Sequence, residues 1–286
     1  MHRYSFGLRH STACAVALVL LGLSVSARQL PLQPARDSGQ GITPAFEGWY
    51  QNPDGSYMLL IGYFNRNVKE ILDIPVGPNN RIEPGGPDQG QPTHFLTRRQ
   101  WGVFTIKVPK DFGDKRLTWT ITANGQTNSI PVGIIKGYQV EPFLEAAQKN
   151  EPPRLQFAEK GPTFFGPPVG VATTLTGTVG QPVTIAGMAS DGAANDPDLN
   201  PAQLKQPPLS IVLSKFRGPG TITFAEVRPR IEKGQFSTTA TFSAPGDYVV
   251  RVQANDRSGD GGGGFQCCWT NAHVKVTITG STAKDN

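Results

Sequence analysis

The sequence has few of the residues from which metal centres and disulfide frameworks are built. Only three cysteines and four histidines occur in 286 residues. A zinc site normally takes three or four Cys, His or carboxylate ligands in close array, and no such spacing is present. Beyond residue 27 the only cysteines are Cys267 and Cys268, which are too few for a disulfide framework. These shortages argue against a structural zinc module and against a small disulfide-rich scaffold.

Catalytic signatures are missing as well. The sequence contains no Gly-x-Ser-x-Gly elbow, no His-Glu-x-x-His helix and no phosphate-binding loop. Of the histidines beyond residue 27, we expect His94 at a turn or strand start and His273 pointing outward from a strand. Four carboxylates of the N-terminal half are candidates for a glycosidase-type pair, namely Glu47, Asp111, Asp114 and Glu141. They define an alternative to a non-catalytic protein, a carbohydrate-active enzyme.

Clustered positive charge is scarce. The formal net charge is +5, and the basic residues form only short groups, at 98–99, 115–116 and 228/230. A groove for nucleic acid combines a basic surface with stacked aromatic side chains. We therefore predict a solvated surface of mixed charge and no nucleic-acid partner.

Only one long apolar run is present. Residues 13–25 come after Arg3 and Arg9 and precede the small residues Ser26 and Ala27. A run of about 13 residues is too short to cross a bilayer as a helix, and this order is typical of a secretory signal. The sequence predicts cleavage after Ala27, a secreted or periplasmic protein, and no membrane span beyond residue 27.

Glycine and proline are frequent, at 33 and 25 residues, and short segments of alternating polarity lie between them. This pattern is typical of an all-β chain with many turns. The pair Asn124-Gly125 in particular predicts a tight hairpin turn, since both residues tolerate positive φ. We predict two β-sandwich domains in tandem, the second of them immunoglobulin-like. The predicted order is a signal peptide (1–27), a flexible N-terminus (28–43), an N-terminal β-sandwich-like domain (44–143), a linker (144–170), the immunoglobulin-like domain (171–280) and a disordered tail (281–286).

The clearest alternation lies in the last two predicted strands, where every second residue is apolar. These residues are Tyr248, Val250, Val252 and Ala254 in one strand, and Ala272, Val274, Val276 and Ile278 in the other. Most of the residues between them are polar, including Arg251 and His273. One apolar and one polar face per strand indicate a half-buried antiparallel sheet.

Three stretches, taken in order, resemble a known domain family. They are 179–185, 209–224 with Gly218-Pro219-Gly220, and 240–256 with Gly246-Asp247-Tyr248. Over residues 171–279 the chain is similar to the polycystic-kidney-disease (PKD) type of immunoglobulin-like domain of bacterial exported proteins. The resemblance implies a tyrosine corner at Tyr248 and a spacer, or a module that contacts protein or carbohydrate. Leu213 stands where such domains usually carry tryptophan, and residues 46–56 resemble an uncharacterised exported bacterial protein family.

Two acidic loops are expected to meet in this domain. In an immunoglobulin-like sandwich the B–C and F–G loops lie at one end, and here they are residues 191–208 and 256–270. Calcium takes six to eight oxygen ligands, and the carboxylates that would bind it are Asp191, Asp196, Asp198, Asp256 and Asp260. The alternative is that these residues only form turns, as Asp often does. No cofactor other than calcium is expected.

The F–G loop also holds four consecutive glycines, followed by Phe265, Gln266, Cys267, Cys268 and Trp269. In an oxidising compartment the adjacent cysteines are predicted to form a vicinal disulfide. Free thiols and a bond to another chain are the alternatives. Phe265 and Trp269 form an aromatic binding platform, unless Trp269 folds onto the sandwich as a plug. Phe265, Cys267, Cys268 and Trp269 are therefore the predicted binding surface.

These features favour an exported, non-catalytic binding or structural module of the bacterial envelope. It would contact protein or carbohydrate through the loops at one end of its C-terminal domain. The carbohydrate-active enzyme and a calcium- or redox-responsive adhesin are the alternatives.

Overall fold

A computed structural model describes residues 36–145, 149–192, 200–258 and 268–280. Regular structure in these ranges is almost entirely β-strand, which confirms the predicted all-β fold. The strands of the N-terminal half are β1 (Ile42–Gln51), β2 (Tyr57–Asn65), β3 (Leu72–Asp73), β4 (Asn80–Glu83), β5 (His94–Phe95), β6 (Arg98–Val108), β7 (Leu117–Ala123) and β8 (Gln126–Val132). Those of the C-terminal half are β9 (Arg154–Gln156), β10 (Phe164–Phe165), β11 (Thr173–Thr178), β12 (Pro182–Ser190), β13 (Leu209–Arg217), β14 (Ile222–Phe224), β15 (Gln235–Phe242), β16 (Gly246–Asp256) and β17 (Trp269–Thr279). The one helix in these ranges is α1 (Pro201–Leu204).

Two three-stranded sheets supply the core of the N-terminal half. Antiparallel strands β1, β2 and β6 form one sheet, and β4, β7 and β8 form the other. Strand β2 is central and buried on both faces because its residues are apolar on both faces. Between the sheets, the rings of Trp119 and Phe104 meet edge to face with centroids 5.1 Å apart. The predicted hairpin at Asn124-Gly125 joins β7 to β8, and both residues have the positive φ that such a turn requires.

The C-terminal half has the strand order of an immunoglobulin-like sandwich. One sheet runs β11-β17-β16-β13, with β11 parallel to β17, and the other runs β10-β9-β12-β15-β14. Strands β12, β15 and β14 correspond to B, E and D, while β13, β16 and β17 correspond to C, F and G. The alternating apolar residues of β16 and β17 lie in the core between the sheets, as their period predicts.

Tyr248 forms the predicted tyrosine corner. Its hydroxyl donates a hydrogen bond to Ala244 O at 2.8 Å and accepts one from Gly220 N at 3.1 Å. Gly218 is required beside it, since a Cβ at this position would lie 2.1 Å from the tyrosine ring. The Gly218-Pro219-Gly220 turn is therefore held against the end of the C-terminal core.

Two short strands lie in the segment that the sequence predicts as a linker. Strand β9 pairs with residues 188–190 of β12, and β10 pairs with β9. Leu155 and Phe164 pack on the hydrophobic core of the C-terminal half. This segment therefore widens the sheet that contains β12.

The two halves share a buried contact. Phe216 of β13 belongs to the hydrophobic cluster of the N-terminal half, and Val249 packs against that cluster. Beside Phe216, Arg217 forms a two-bonded ion pair with Asp88, at 2.7 and 3.0 Å. The described residues accordingly belong to one compact unit.

Candidate functional site

A cleft of about 810 Å³ lies at the end of the C-terminal sandwich where the B–C and F–G loops were predicted to meet. Three segments line it: 206–211, which leads into β13; 228–232, which connects β14 to β15; and 255–257, at the end of β16. The first segment comes after helix α1, whose N-terminus is closed by a capping box between Asn200 and Gln203. The cleft therefore opens between elements that belong to both sheets.

Alternation within residues 228–232 directs its charged side chains outward. Pro229 is buried, and Ile231 packs against the core of the C-terminal half. The residues between and beside them, Arg228, Arg230 and Glu232, are exposed. An irregular connection thus presents two guanidinium groups from a backbone held by its apolar residues.

The charges of the cleft are unbalanced. Arg228, Arg230 and Arg257 form no ion pair or hydrogen bond with any described residue, whereas Arg217 and Arg154 are both paired with carboxylates. Asp256 is buried, and its carboxylate accepts hydrogen bonds from Asn150 Nδ2 at 2.7 Å and from Ser258 N at 2.8 Å. The acidic group exposed among the described lining residues is Glu232. The cleft therefore has an excess of positive charge.

One polar atom of the cleft also lacks a partner. Asn255 lines the cleft, and its buried Oδ1 has no hydrogen-bond partner in the described part of the chain. A buried amide oxygen without a partner is unfavourable because its interaction with water is lost without replacement. The atom is enclosed, and Asn255 lies on the same face of β16 as Arg251, so this oxygen is not open to a ligand in the cleft.

The structure reaches only part of the binding surface that the sequence predicts. Phe265 and Cys267 lie outside the described residues, as do three of the five proposed calcium ligands, Asp196, Asp198 and Asp260. The vicinal disulfide and the calcium site therefore stay predictions. Within the described ranges no group of three or more His, Cys, Asp or Glu side chains is placed to hold a metal ion.

Trp269 is fully buried, with 0% of its surface exposed. Its ring lies on Gly102 of β6, where an added Cβ would be 1.8 Å from the indole. Cys268 beside it is buried too, with φ of +80°. The burial of Trp269 agrees with the alternative in which it packs onto the sandwich. Its side chain fills the space between the two halves and is not an exposed binding platform.

A polar cluster lies next to this tryptophan, around Glu47. A bulge in β1 between Phe46 and Gly48 turns the Glu47 side chain inward. Its carboxylate accepts hydrogen bonds from Arg99 at 2.6 Å and from Gly102 N at 2.7 Å. Gly62 leaves the necessary room, because a Cβ there would lie 2.0 Å from Glu47 Oε1. Burial raises the pKa of Glu47 to about 7, although Arg99 acts to lower it.

The C-terminal half contributes Arg251 to the same region. Its guanidinium donates hydrogen bonds to Asn271 Oδ1 at 2.8 Å, to Gln100 Oε1 at 3.1 Å and to Trp101 O at 3.1 Å. Two of these acceptors belong to the N-terminal half. Arg251 therefore joins β16 and β17 to β6.

His273 points outward from its strand, away from the C-terminal core, but its side chain does not reach solvent. Its ring packs on Phe216 with centroids 4.3 Å apart, and its Nε2 is enclosed. The period-two pattern places His273 correctly on the face away from the C-terminal core, but that face is covered by the N-terminal half. His94, in contrast, begins strand β5 as predicted and bonds to Asp73 Oδ1 at 2.9 Å.

The four carboxylates proposed for an enzyme are not joined to one another. Glu47 is bonded to Arg99 and Gly102, while Asp111, Asp114 and Glu141 are exposed. No hydrogen bond within the described ranges connects two of the four. The sequence analysis did not identify Arg251 and Gly102 as contact residues. The signal that could have shown a contact is that Arg251 and His273 lie opposite each other where β16 pairs with β17.

Burial of His273 makes the stability of the protein depend on pH. The pKa of this residue falls from the ordinary 6.5 to about 3, because burial and the nearby charge of Arg251 disfavour the protonated ring. Between these values the unfolded chain binds more protons, so stability decreases as pH falls from 6.5 towards 3.

The variant His273→Phe keeps an aromatic ring on Phe216. We expect its free energy of unfolding to fall less steeply with decreasing pH than that of the unmodified protein, by up to about 1.4 kcal/mol per pH unit. Urea unfolding of both proteins at about pH 7, 5.5 and 4 measures the difference. Glu47 is present in both proteins, so its own titration cancels. Parallel pH profiles for the two proteins would contradict the expectation.

Comparison with known proteins gives a likeness of fold only. The chain matches no protein-family profile and no curated protein. Solved structures similar to it include domains 4 and 5 of the S-layer protein SbsC (12% identity, 84% of this chain and 98% of that chain, TM-score 0.25). The fibronectin(III)-like modules of Clostridium thermocellum CbhA are similar as well, at 12% identity over 86% of this chain and 97% of that chain, with a TM-score of 0.24. The Yersinia pseudotuberculosis adhesin InvE is similar at 10% identity over 85% of this chain and 60% of that chain, with a TM-score of 0.25. At such scores these likenesses carry no argument about function.

Across the described ranges, no helix combines the length and the hydrophobicity that a membrane-spanning segment needs.

Proposed function

We propose that this protein is an exported, non-catalytic binding module of the bacterial envelope. It contacts protein or carbohydrate through the cleft formed by residues 206–211, 228–232 and 255–257. The observation that carries this proposal is the convergence there of three arginines without described partners on an 810 Å³ cleft. A site of this volume lies in the range of about 300–1,000 Å³ that is usual for bound ligands.

The N-terminal half serves in this proposal as a rigid support. The contacts of Phe216, Arg217 and Arg251 hold it against the sheet of β13, β16 and β17. Because these contacts are buried or charge-paired, the end that carries the cleft keeps a defined orientation relative to the N-terminal half. The proposal includes export by the segment at 13–25 and the PKD type of the C-terminal domain, which the corner at Tyr248 supports.

Replacing the three arginines tests this function. The variant Arg228→Ser/Arg230→Ser/Arg257→Ser is compared with Arg36→Ser/Lys110→Ser/Lys136→Ser, which removes the same charge from exposed residues elsewhere. We expect the protein to co-sediment with envelope fragments of a bacterium that exports it. The cleft variant should bind at least about tenfold more weakly, since each charge-assisted contact contributes about 1.5–3 kcal/mol.

The control variant should bind as the unmodified protein does. Equal binding by the cleft variant and the control would place the contact surface elsewhere. Equal urea midpoints for all three proteins exclude unfolding as the cause of a loss, because the replaced side chains are on the surface.

A further inference from the structure

We propose that the ligand of the cleft is an acidic, extended peptide segment of another envelope protein, with an aliphatic side chain between its carboxylates. This inference rests on the proposed function and specifies the partner of the same site. Two properties of the cleft favour such a peptide: its charge and its aliphatic lining.

The charge of the cleft selects for carboxylates. Arg228, Arg230 and Arg257 each present a planar fork of N–H donors, which matches the two oxygens of a carboxylate. The three guanidinium groups come from two separate segments that line one cleft. Asp256 forms no ion pair with them, since its oxygens accept hydrogen bonds from Asn150 and Ser258. With Glu232 and Asp256, the lining residues carry three positive and two negative formal charges, so one positive charge is in excess.

The apolar part of the cleft lining is aliphatic. It consists of prolines and branched aliphatic residues, namely Pro207, Pro208, Leu209, Ile211, Pro229 and Ile231. None of the described lining residues is aromatic, whereas the face of a sugar ring packs best on an aromatic ring. A leucine, isoleucine or valine side chain suits this lining better than a saccharide does.

Binding of short synthetic peptides tests the inference. The probe is fluorescein-labelled Ser-Asp-Leu-Asp-Gly with blocked ends, and the comparison probes are Ser-Asn-Leu-Asn-Gly, Ser-Asp-Gly-Asp-Gly and an unsulfated uronic-acid tetrasaccharide. Fluorescence anisotropy with the mature protein should show the acidic leucine peptide binding at least about tenfold more tightly than the amide peptide. It should also bind more tightly than the glycine peptide and the tetrasaccharide, and the arginine triple variant should lose this preference.

Three results would overturn the inference. They are equal affinity for the acidic and amide peptides, tighter binding of the tetrasaccharide, and an affinity that the arginine replacements leave unchanged. If envelope binding depends on the arginines but the acidic peptide does not bind, the inference fails and the proposed function stands. If the acidic peptide binds through the arginines but envelope binding ignores them, the proposed function fails and the peptide site stands.

Discussion

Gly102→Ala is expected to lower the free energy of unfolding by about 2–4 kcal/mol, since overpacking and a positive φ both oppose the new side chain. The added Cβ would lie 1.8 Å from Cη2 and 2.4 Å from Cζ2 of Trp269. The indole is fully buried, so it cannot move aside without disturbing the packing around it. Gly102 N also donates to Glu47, and Gly102 O accepts from Asn271 Nδ2 at 2.9 Å. A shift of this backbone would therefore weaken the polar cluster as well.

Gly113→Ala is the matched control. Gly113 has φ of +58°, close to the +51° of Gly102, but the nearest atom to an added Cβ there is 3.9 Å away. The control therefore carries the backbone strain without the steric overlap, and it should cost only about 1–2 kcal/mol. Urea unfolding measures both variants. In a Trp269→Leu background the cost of Gly102→Ala should fall towards that of the control, and equal costs in both backgrounds would refute the steric explanation.

Arg251→Ala is expected to cost about 3 kcal/mol, because three buried or half-buried acceptors lose their donor at once. The side chain is buried, with 3% of the residue exposed. Hydrogen bonds from its guanidinium reach Asn271, Gln100 and Trp101, so their loss weakens the contact between the halves. Since two of the three acceptors lie in the N-terminal half, the variant should also become more susceptible to limited proteolysis between the halves.

Lys275→Ala is the comparison for this prediction. Lys275 lies on the neighbouring strand β17 and pairs with Asp247 at 3.0 Å, but the two side chains are 40% and 60% exposed. An exposed pair of this kind contributes about 0–1 kcal/mol because water screens it and both side chains lose freedom. Similar losses for Arg251→Ala and Lys275→Ala in urea unfolding would show that the buried contact does not hold the halves together.

Local patterns in the sequence predicted several elements correctly. Period two in β16 and β17 identified the residues that face the C-terminal core, because a pleated strand alternates its side chains between two faces. Asn124-Gly125 predicted the β7–β8 turn, and Tyr248 predicted the tyrosine corner. Each of these features depends on residues close in sequence or on one repeated period.

The candidate cleft was predictable only in its position. The order of strands places the B–C and F–G loops at one end, and the cleft lies there. Its arginines were not identified as a group, since Arg257 is distant in sequence from Arg228 and Arg230. Only the folding of one sheet over the other brings these two segments to the same cleft.

Alternation of side chains was sufficient to separate the two faces of β16 and β17, but it could not reveal that both faces are covered. A strand pattern reports polarity, and the face with Arg251, Asn271 and His273 has the polarity of a solvated surface. The docking of β6 onto that face, where Phe216 packs into the N-terminal cluster, made it an interior, with Arg251 bonded across it and Trp269 enclosed on Gly102. The reason is physical: a buried polar side chain is tolerated where a distant residue satisfies its hydrogen bonds, and the partner is chosen by tertiary packing.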